Sequence, residues 1–140
     1  MPNIKVSGLE SYNLFLDDVR SPFDCYVYKK DERYVKCEWV IVRSHDEFVE
    51  KIDSMWNQKL FPSLVSFDHD LASEHYISAM YDGVEKYNRV AKSFTIPTGM
   101  RSAEYLVSFC KTNLLVLPDC MIHTMNPAGE QRIKNALSMY

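Results

Sequence analysis

Acidic and imidazole side chains fall in short bursts along this chain: Asp17-Asp18 followed by Arg20, Asp68-His69-Asp70, and His123 followed by Asn126 and Gly129. Each burst ends an apolar run, respectively Leu14-Phe15-Leu16, Leu64-Val65-Ser66-Phe67 and Cys120-Met121-Ile122, and Trp39-Val40-Ile41-Val42 likewise stops at Arg43-Ser44. A continuous apolar run that breaks off in polar residues has the character of a strand buried on both faces. Ligands of an open parallel sheet bind outside the carboxyl ends of its strands, so this pattern gathers Asp17, Asp18, Arg20, Arg43, Asp68, His69, Asp70, His123 and Asn126 at one rim. Any one of them has an ordinary use as a turn former, a cap or a packed imidazole. Their recurrence at every strand tip points to a site.

Carboxylates brought that close repel unless they are protonated, paired with Arg20 or Arg43, or bound to a cation. Asp17, Asp18, Asp68 and Asp70 are the candidate ligands, and an all-oxygen set suits Mg²⁺ or Mn²⁺, whereas recruiting His69 and His123 would favour Mn²⁺, Zn²⁺ or Fe²⁺. A metal-free arrangement in which Arg43 neutralises Asp17 or Asp18 is the alternative. After His123, Asn126-Pro127 starts a helix whose free N–H groups and positive dipole end suit an anion, phosphate above all, held between Asn126 and Gly129 with Arg20 or Arg43 as clamp. His69 and His123 titrate near neutrality when unperturbed, so either can act as general acid or base on a phosphoester. Asp68 completes the catalytic set, either by helping to hold the ion or by orienting a water.

The elements that position these residues alternate between strand and helix, as in a parallel sheet with crossovers. Ser44-His45-Asp46-Glu47 has capping-box spacing, and Phe48, Val49, Ile52, Met55 and Trp56 form one apolar stripe, which predicts a helix over about 45–57. Ala103, Leu106, Val107 and Cys110 predict a second over about 102–113. Asn126 and Pro127 begin a third, with Ile133, Ala136, Leu137 and Tyr140 on its buried side. Two segments break the rhythm. Cys25-Tyr26-Val27-Tyr28 and Arg33-Tyr34-Val35-Lys36 alternate as a β-hairpin excursion after the first strand. The stretch 72–97, with Tyr76, Met80, Val84 and Tyr87 near helical spacing around Asp82-Gly83, reads as a partly helical insertion beside the site, in the position of a lid.

The 140 residues fit one domain, 46% hydrophobic and 25% charged, which excludes disordered and fibrous classes. A net charge of −3 argues against coating duplex DNA, while a single nucleotide or an RNA end remains suitable. No apolar run has membrane-spanning length and the first residues lack a signal-peptide core, so the expected compartment is the cytoplasm, with no membrane partner. Cys25, Cys37, Cys110 and Cys120 form no C-x-x-C pair and read as reduced, packing thiols.

Leu14-Phe15-Leu16-Asp17-Asp18-Val19-Arg20, Val42-Arg43-Ser44, Ser66-Phe67-Asp68-His69-Asp70-Leu71, Thr98-Gly99 and His123-Thr124-Met125-Asn126-Pro127-Ala128-Gly129 resemble the cyclic-phosphate processing branch of the receiver-like superfamily over nearly the whole chain. The resemblance implies an α/β receiver-like (flavodoxin-type) three-layer sandwich with strand order 2-1-3-4, acting on cyclic phosphates from RNA metabolism or nucleotide signalling. It aligns Asp17 and Asp18 with the acidic pair of the first strand, Asp68 with the position phosphorylated in true receivers, and His69, Asp70 and His123 with family-specific polar positions. It also brings Thr98 and Gly99 into the phosphate-binding set, although Met100-Arg101 stands where the pattern has an aromatic and then a polar residue. The Lys-Pro of a response regulator's fifth strand has no counterpart, which weakens a phosphorelay role. The expected function is therefore a phosphoester hydrolase that opens a cyclic phosphate on a nucleotide or RNA end; the alternative is a non-catalytic receiver-like module that sequesters a nucleotide or regulates a protein.

Overall fold

The computed structural model describes residues 10–78 and 84–140, with the side chains of 76–78 and 84 outside the description. Four parallel strands, β1 (Glu10–Leu16), β2 (Val40–Val42), β3 (Leu60–Phe67) and β4 (Asp119–Ile122), lie in the order β2-β1-β3-β4. Leu16 of β1 pairs with Val42 and Phe67, and Phe67 pairs with Ile122, so the strands finish level with one another. The polar residues that follow them share one pole.

Helices cover both faces, as an all-parallel sheet requires. Side-chain alternation sends Leu14, Leu16, Val65 and Phe67 toward Phe48 and Ile52 of α3 (His45–Asn57), Leu106 of α6 (Gly99–Asn113) and Ile133 of α7 (Pro127–Leu137). The intervening residues Phe15, Leu64 and Met121 turn the other way, onto Cys25 of α1 (Pro22–Lys29) and Tyr34 of α2 (Arg33–Lys36). This is the receiver-type three-layer sandwich. Helices expected at 45–57 and 102–113 are present, the second starting three residues earlier at Gly99.

The expected β-hairpin after β1 is corrected to helices α1 and α2. Ser21 caps α1 through the Asp24 amide while the Asp24 side chain answers the Ser21 amide, Pro22 occupies the first turn, and Lys30 in the left-handed region (φ 58) ends the helix. This reciprocal cap and the fixed φ of proline favour helix at its start. The apparent alternation of Cys25 and Tyr28 with their neighbours equally satisfies an i, i+3 helical face.

The insertion after β3 is helical in its described parts, α4 (Ser73–Ser78) and α5 (Val84–Ala91). Of its expected stripe, the side chains of Tyr76, Met80 and Val84, and the Asp82-Gly83 interruption, lie outside the described residues. Its ends are tied together. His75 Nδ1 accepts the Leu71 amide at 2.8 Å and Nε2 donates to the Ile96 carbonyl at 2.8 Å. The Glu74 carboxylate accepts the Thr95 and Ile96 amides at 2.9 and 2.8 Å. Tyr87 and Ala91 of α5 pack on Ala128 of α7 as a small separate apolar cluster. No helix among the described residues is long and apolar enough to cross a membrane.

Candidate functional site

The period of two that divides the core carries into the first polar residues past β1, β3 and β4, while Asp18 and Asp70, further into the loops, depart from it. Asp17, Asp68 and His123 continue the face of Phe15, Ser66 and Met121, whereas His69 continues the opposite face. Two clusters result.

In the first, donor oxygens of Asp17, Asp18 and Asp68 lie within 4.8 Å of one another. The loop after β1 folds back so that Asp17 Oδ1 accepts the Val19 and Arg20 amides at 2.9 and 2.8 Å. Burial works to raise the Asp17 carboxyl, but the His123 hydrogen bond and these two amides outweigh it and hold the group below the ordinary carboxylate value. Asp68 differs. Among the described residues its Oδ1 accepts only the His69 amide, at 2.9 Å, and its Oδ2 is buried with no partner. Burial, reinforced by the charges of Asp17 and Asp70, pushes its carboxyl up to about 8 against the pull of Arg20. Without a cation, Asp68 is therefore largely protonated at neutral pH.

Arg20 is half-buried, stacks over Tyr28 with 5.5 Å to the ring centroid and donates to its hydroxyl at 3.0 Å. Burial opposes its charge, yet Tyr28, Asp68 and Asp17 raise its pKa on balance. No salt bridge among the described residues joins it to a carboxylate. Arg43 is placed differently from the expected clamp: its guanidinium donates to the carbonyls of Asp17 (3.1 Å) and Arg20 (2.6 Å), which fastens the loop itself.

His123 is fully buried and both ring nitrogens are engaged, Nε2 with Asp17 Oδ2 at 3.1 Å and Nδ1 with Ser66 Oγ at 2.7 Å. Its ring stacks on Phe15 at 4.5 Å. Burial keeps it neutral, lowering its pKa despite the Asp17 carboxylate. Tyr28, from α1, donates to the His123 carbonyl.

The second cluster centres on Asp70. Its carboxylate accepts from His69 Nδ1 at 2.9 Å, Tyr87 Oη at 3.3 Å and Asn126 Nδ2 at 3.2 Å. A carboxylate offers only acceptors, so His69 carries its proton on Nδ1 and presents a lone pair at Nε2, which is buried without a partner among the described residues. Burial lowers the His69 pKa against the raising effect of Asp70, so this imidazole is neutral as well. Asp70 is thus removed from the carboxylate group that can share an ion.

Asn126, Gly129 and Gly99, named in the expected phosphate-binding set, pack against these clusters. Asn126 Oδ1 accepts the Ala128 and Gly129 amides at 3.1 and 3.2 Å, so those N–H groups of α7 are already satisfied. A Cβ at Gly129 would stand 2.5 Å from His69 Cγ, and one at Gly99 would stand 1.8 Å from the Asp68 carbonyl oxygen. Gly99 also donates its amide to the His69 carbonyl at 2.8 Å. Both glycines are there because neighbouring groups occupy the space of a side chain. Thr98 is the buried N-cap residue of α6, with no cap hydrogen bond from its side chain.

Sequence reasoning missed Tyr28, Tyr34, Ser66 and Tyr87, which position the named groups. The Ser21-Pro22-Phe23-Asp24 cap was the available signal for the two tyrosines of α1 and α2; Ser66 carried one as the polar residue of an otherwise apolar strand. A separate cavity of about 440 Å³, lined in part by Phe61, Pro62, Val116 and Pro118, contains none of the expected site residues.

Comparison with curated proteins and with solved structures gives no match. A family model does match, over residues 12–139, with the strand tips and both clusters inside it. On that match and this fold, the chain belongs to the cyclic-phosphate processing receiver domain family.

Proposed function

We propose that this protein hydrolyses a cyclic phosphate carried by a nucleotide or an RNA end. The observation that carries the reading is the triad Asp17, Asp18 and Asp68, whose oxygens converge within 4.8 Å while the buried Asp68 Oδ2 has no partner among the described residues. An all-carboxylate donor set with an orphaned oxygen fits a hard divalent ion, Mg²⁺ or Mn²⁺, held by these three residues. Such an ion supplies charge neutralisation at a phosphoryl oxygen. Arg20, a cation with no carboxylate salt bridge among the described residues, offers its guanidinium to the same phosphate. His69, with Asp70 fixing its tautomer, offers the Nε2 lone pair to the proton of the attacking water. A P–O bond to water then forms, one ring P–O bond breaks, and the proton passes to the departing alkoxide, leaving a linear monoester.

Complete burial of the His69 ring favours one other reading, a nucleotide-binding module without turnover. Incubating the protein with 2′,3′-cyclic nucleotides and ADP-ribose cyclic phosphate, in Mg²⁺, Mn²⁺ or chelator, separates the two by chromatography of the products. Hydrolysis predicts a linear monoester formed only with metal and lost in Asp18→Asn. Tight binding of such a ligand that leaves it chemically unchanged in both metals overturns the hydrolase.

A further inference from the structure

We infer that His123 acts through Asp17 and not on the substrate, as the middle of a buried positioning chain that runs from Tyr34 through Ser66 and His123 to Asp17. The contacts are 2.9 Å for Tyr34 Oη to Ser66 Oγ, 2.7 Å for Ser66 Oγ to His123 Nδ1 and 3.1 Å for His123 Nε2 to Asp17 Oδ2. None of the four residues is more than 3% exposed.

The direction of each bond follows from the donor and acceptor inventory. The Asp17 carboxylate only accepts, so His123 Nε2 carries the proton. Nδ1 then only accepts, so Ser66 donates to it. The Ser66 oxygen in turn accepts the Tyr34 hydroxyl proton. Every hydrogen is used once, and neither ring nitrogen of His123 keeps a lone pair or proton for a ligand. Phe15 lies parallel to the ring (interplanar angle 1°) and Tyr34 meets it edge-on (89°), so the imidazole is also held against rotation. The chain starts in α2, an element outside the strand-tip motifs, and ends on the carboxylate best fixed in the acidic triad. Tyr34 and Ser66 are thus positioning residues of the site.

The kinetic arm of the test rests on the hydrolase reading; the spectroscopic arm does not. In ¹⁵N-edited imidazole spectra of the native protein, His123 is expected as the pure Nε2–H tautomer, and Ser66→Ala is expected to shift its Nδ1 resonance by removing the donor. His123→Gln keeps an N–H donor for Asp17 but cannot shuttle a proton, so turnover should stay within about tenfold of wild type, whereas a general acid or base loses about 10²- to 10⁴-fold. An Nδ1–H tautomer, an Nδ1 signal indifferent to Ser66→Ala, or a folded His123→Gln protein that loses 100-fold or more would overturn the chain. If the native protein turns over no cyclic phosphate, the hydrolase reading fails alone, and the spectra still decide the positioning chain.

Discussion

Replacing Asp68 by Asn should stabilise the metal-free protein, and the gain should depend on pH. The carboxyl moves from an ordinary 3.8 to about 8 on folding, and at about 1.36 kcal/mol per pH unit that caps the penalty for its charged form at about 5–6 kcal/mol above pH 8. Local relaxation and water penetration recover part of this, so about 1–3 kcal/mol is the expected gain for a neutral amide at pH 8. For a domain of this size that corresponds to roughly 4–12 °C in Tm. The sign follows from linkage. A raised acid favours folding in its protonated form, so the Asp68 contribution is fully present below pH 3.8 and is lost as pH rises to about 8. The advantage of Asn should therefore be near zero at pH 4 and full above pH 8. Thermal melts of both proteins in chelator between pH 4 and 9 measure it. If the proposed ion binds the triad, millimolar Mg²⁺ or Mn²⁺ should raise the wild-type Tm and leave Asp68→Asn unmoved, because only the former would keep all three carboxylates. Equal stability at pH 8, or a gain that is the same at pH 4, would refute the account of Asp68 as a strained acid.

Gly99→Ala should be among the most damaging single-methyl additions, since its Cβ would meet backbone, the Asp68 carbonyl, at 1.8 Å; a loss of more than about 3 kcal/mol in urea melts is expected. Asn126→Ala removes the cap of α7 and one donor to Asp70, and should cost about 1–3 kcal/mol in the same assay while broadening the His69 imidazole resonances.

The sheet and most of the crossovers were legible because their signals are local and redundant. The Ser44 cap and the Phe48 to Trp56 stripe both specify α3, and the apolar runs of β1, β3 and β4 each stop at their polar tips. The excursion after β1 was misread because the four residues Cys25 to Tyr28 fit an alternating strand as well as an i, i+3 helical face. Tertiary contacts settle its state: Tyr28 reaches the His123 carbonyl, and Tyr34 reaches Ser66. Side chains separated by 95 and 32 residues leave no trace in a local pattern.

The same limit explains why the site divides. Asp68, His69 and Asp70 are consecutive, and proximity in sequence suggests one catalytic group in which His69 and His123 exchange a proton. A strand aims neighbours to opposite faces, and the alternation carries past the last paired residue of β3, Phe67, through Asp68 and His69, before the chain turns and brings Asp70 back onto the His69 ring. Asp68 therefore joins Asp17 beneath α1, while His69 faces the Gly129 turn and the α5 ring of Tyr87. The His69 amide bonded to Asp68 Oδ1 is the hydrogen bond that crosses between the clusters among the described residues. Two buried polar atoms remain on either side of that link, Asp68 Oδ2 and His69 Nε2. An unpaired buried polar atom typically costs about 1–3 kcal/mol, and this fold keeps two of them on adjacent residues, Asp68 Oδ2 open to a cation once ionised and His69 Nε2 open to a proton donor. On the hydrolase proposal, adjacency across the strand, rather than convergence of every tip on one point, is the arrangement through which the domain would handle a phosphate.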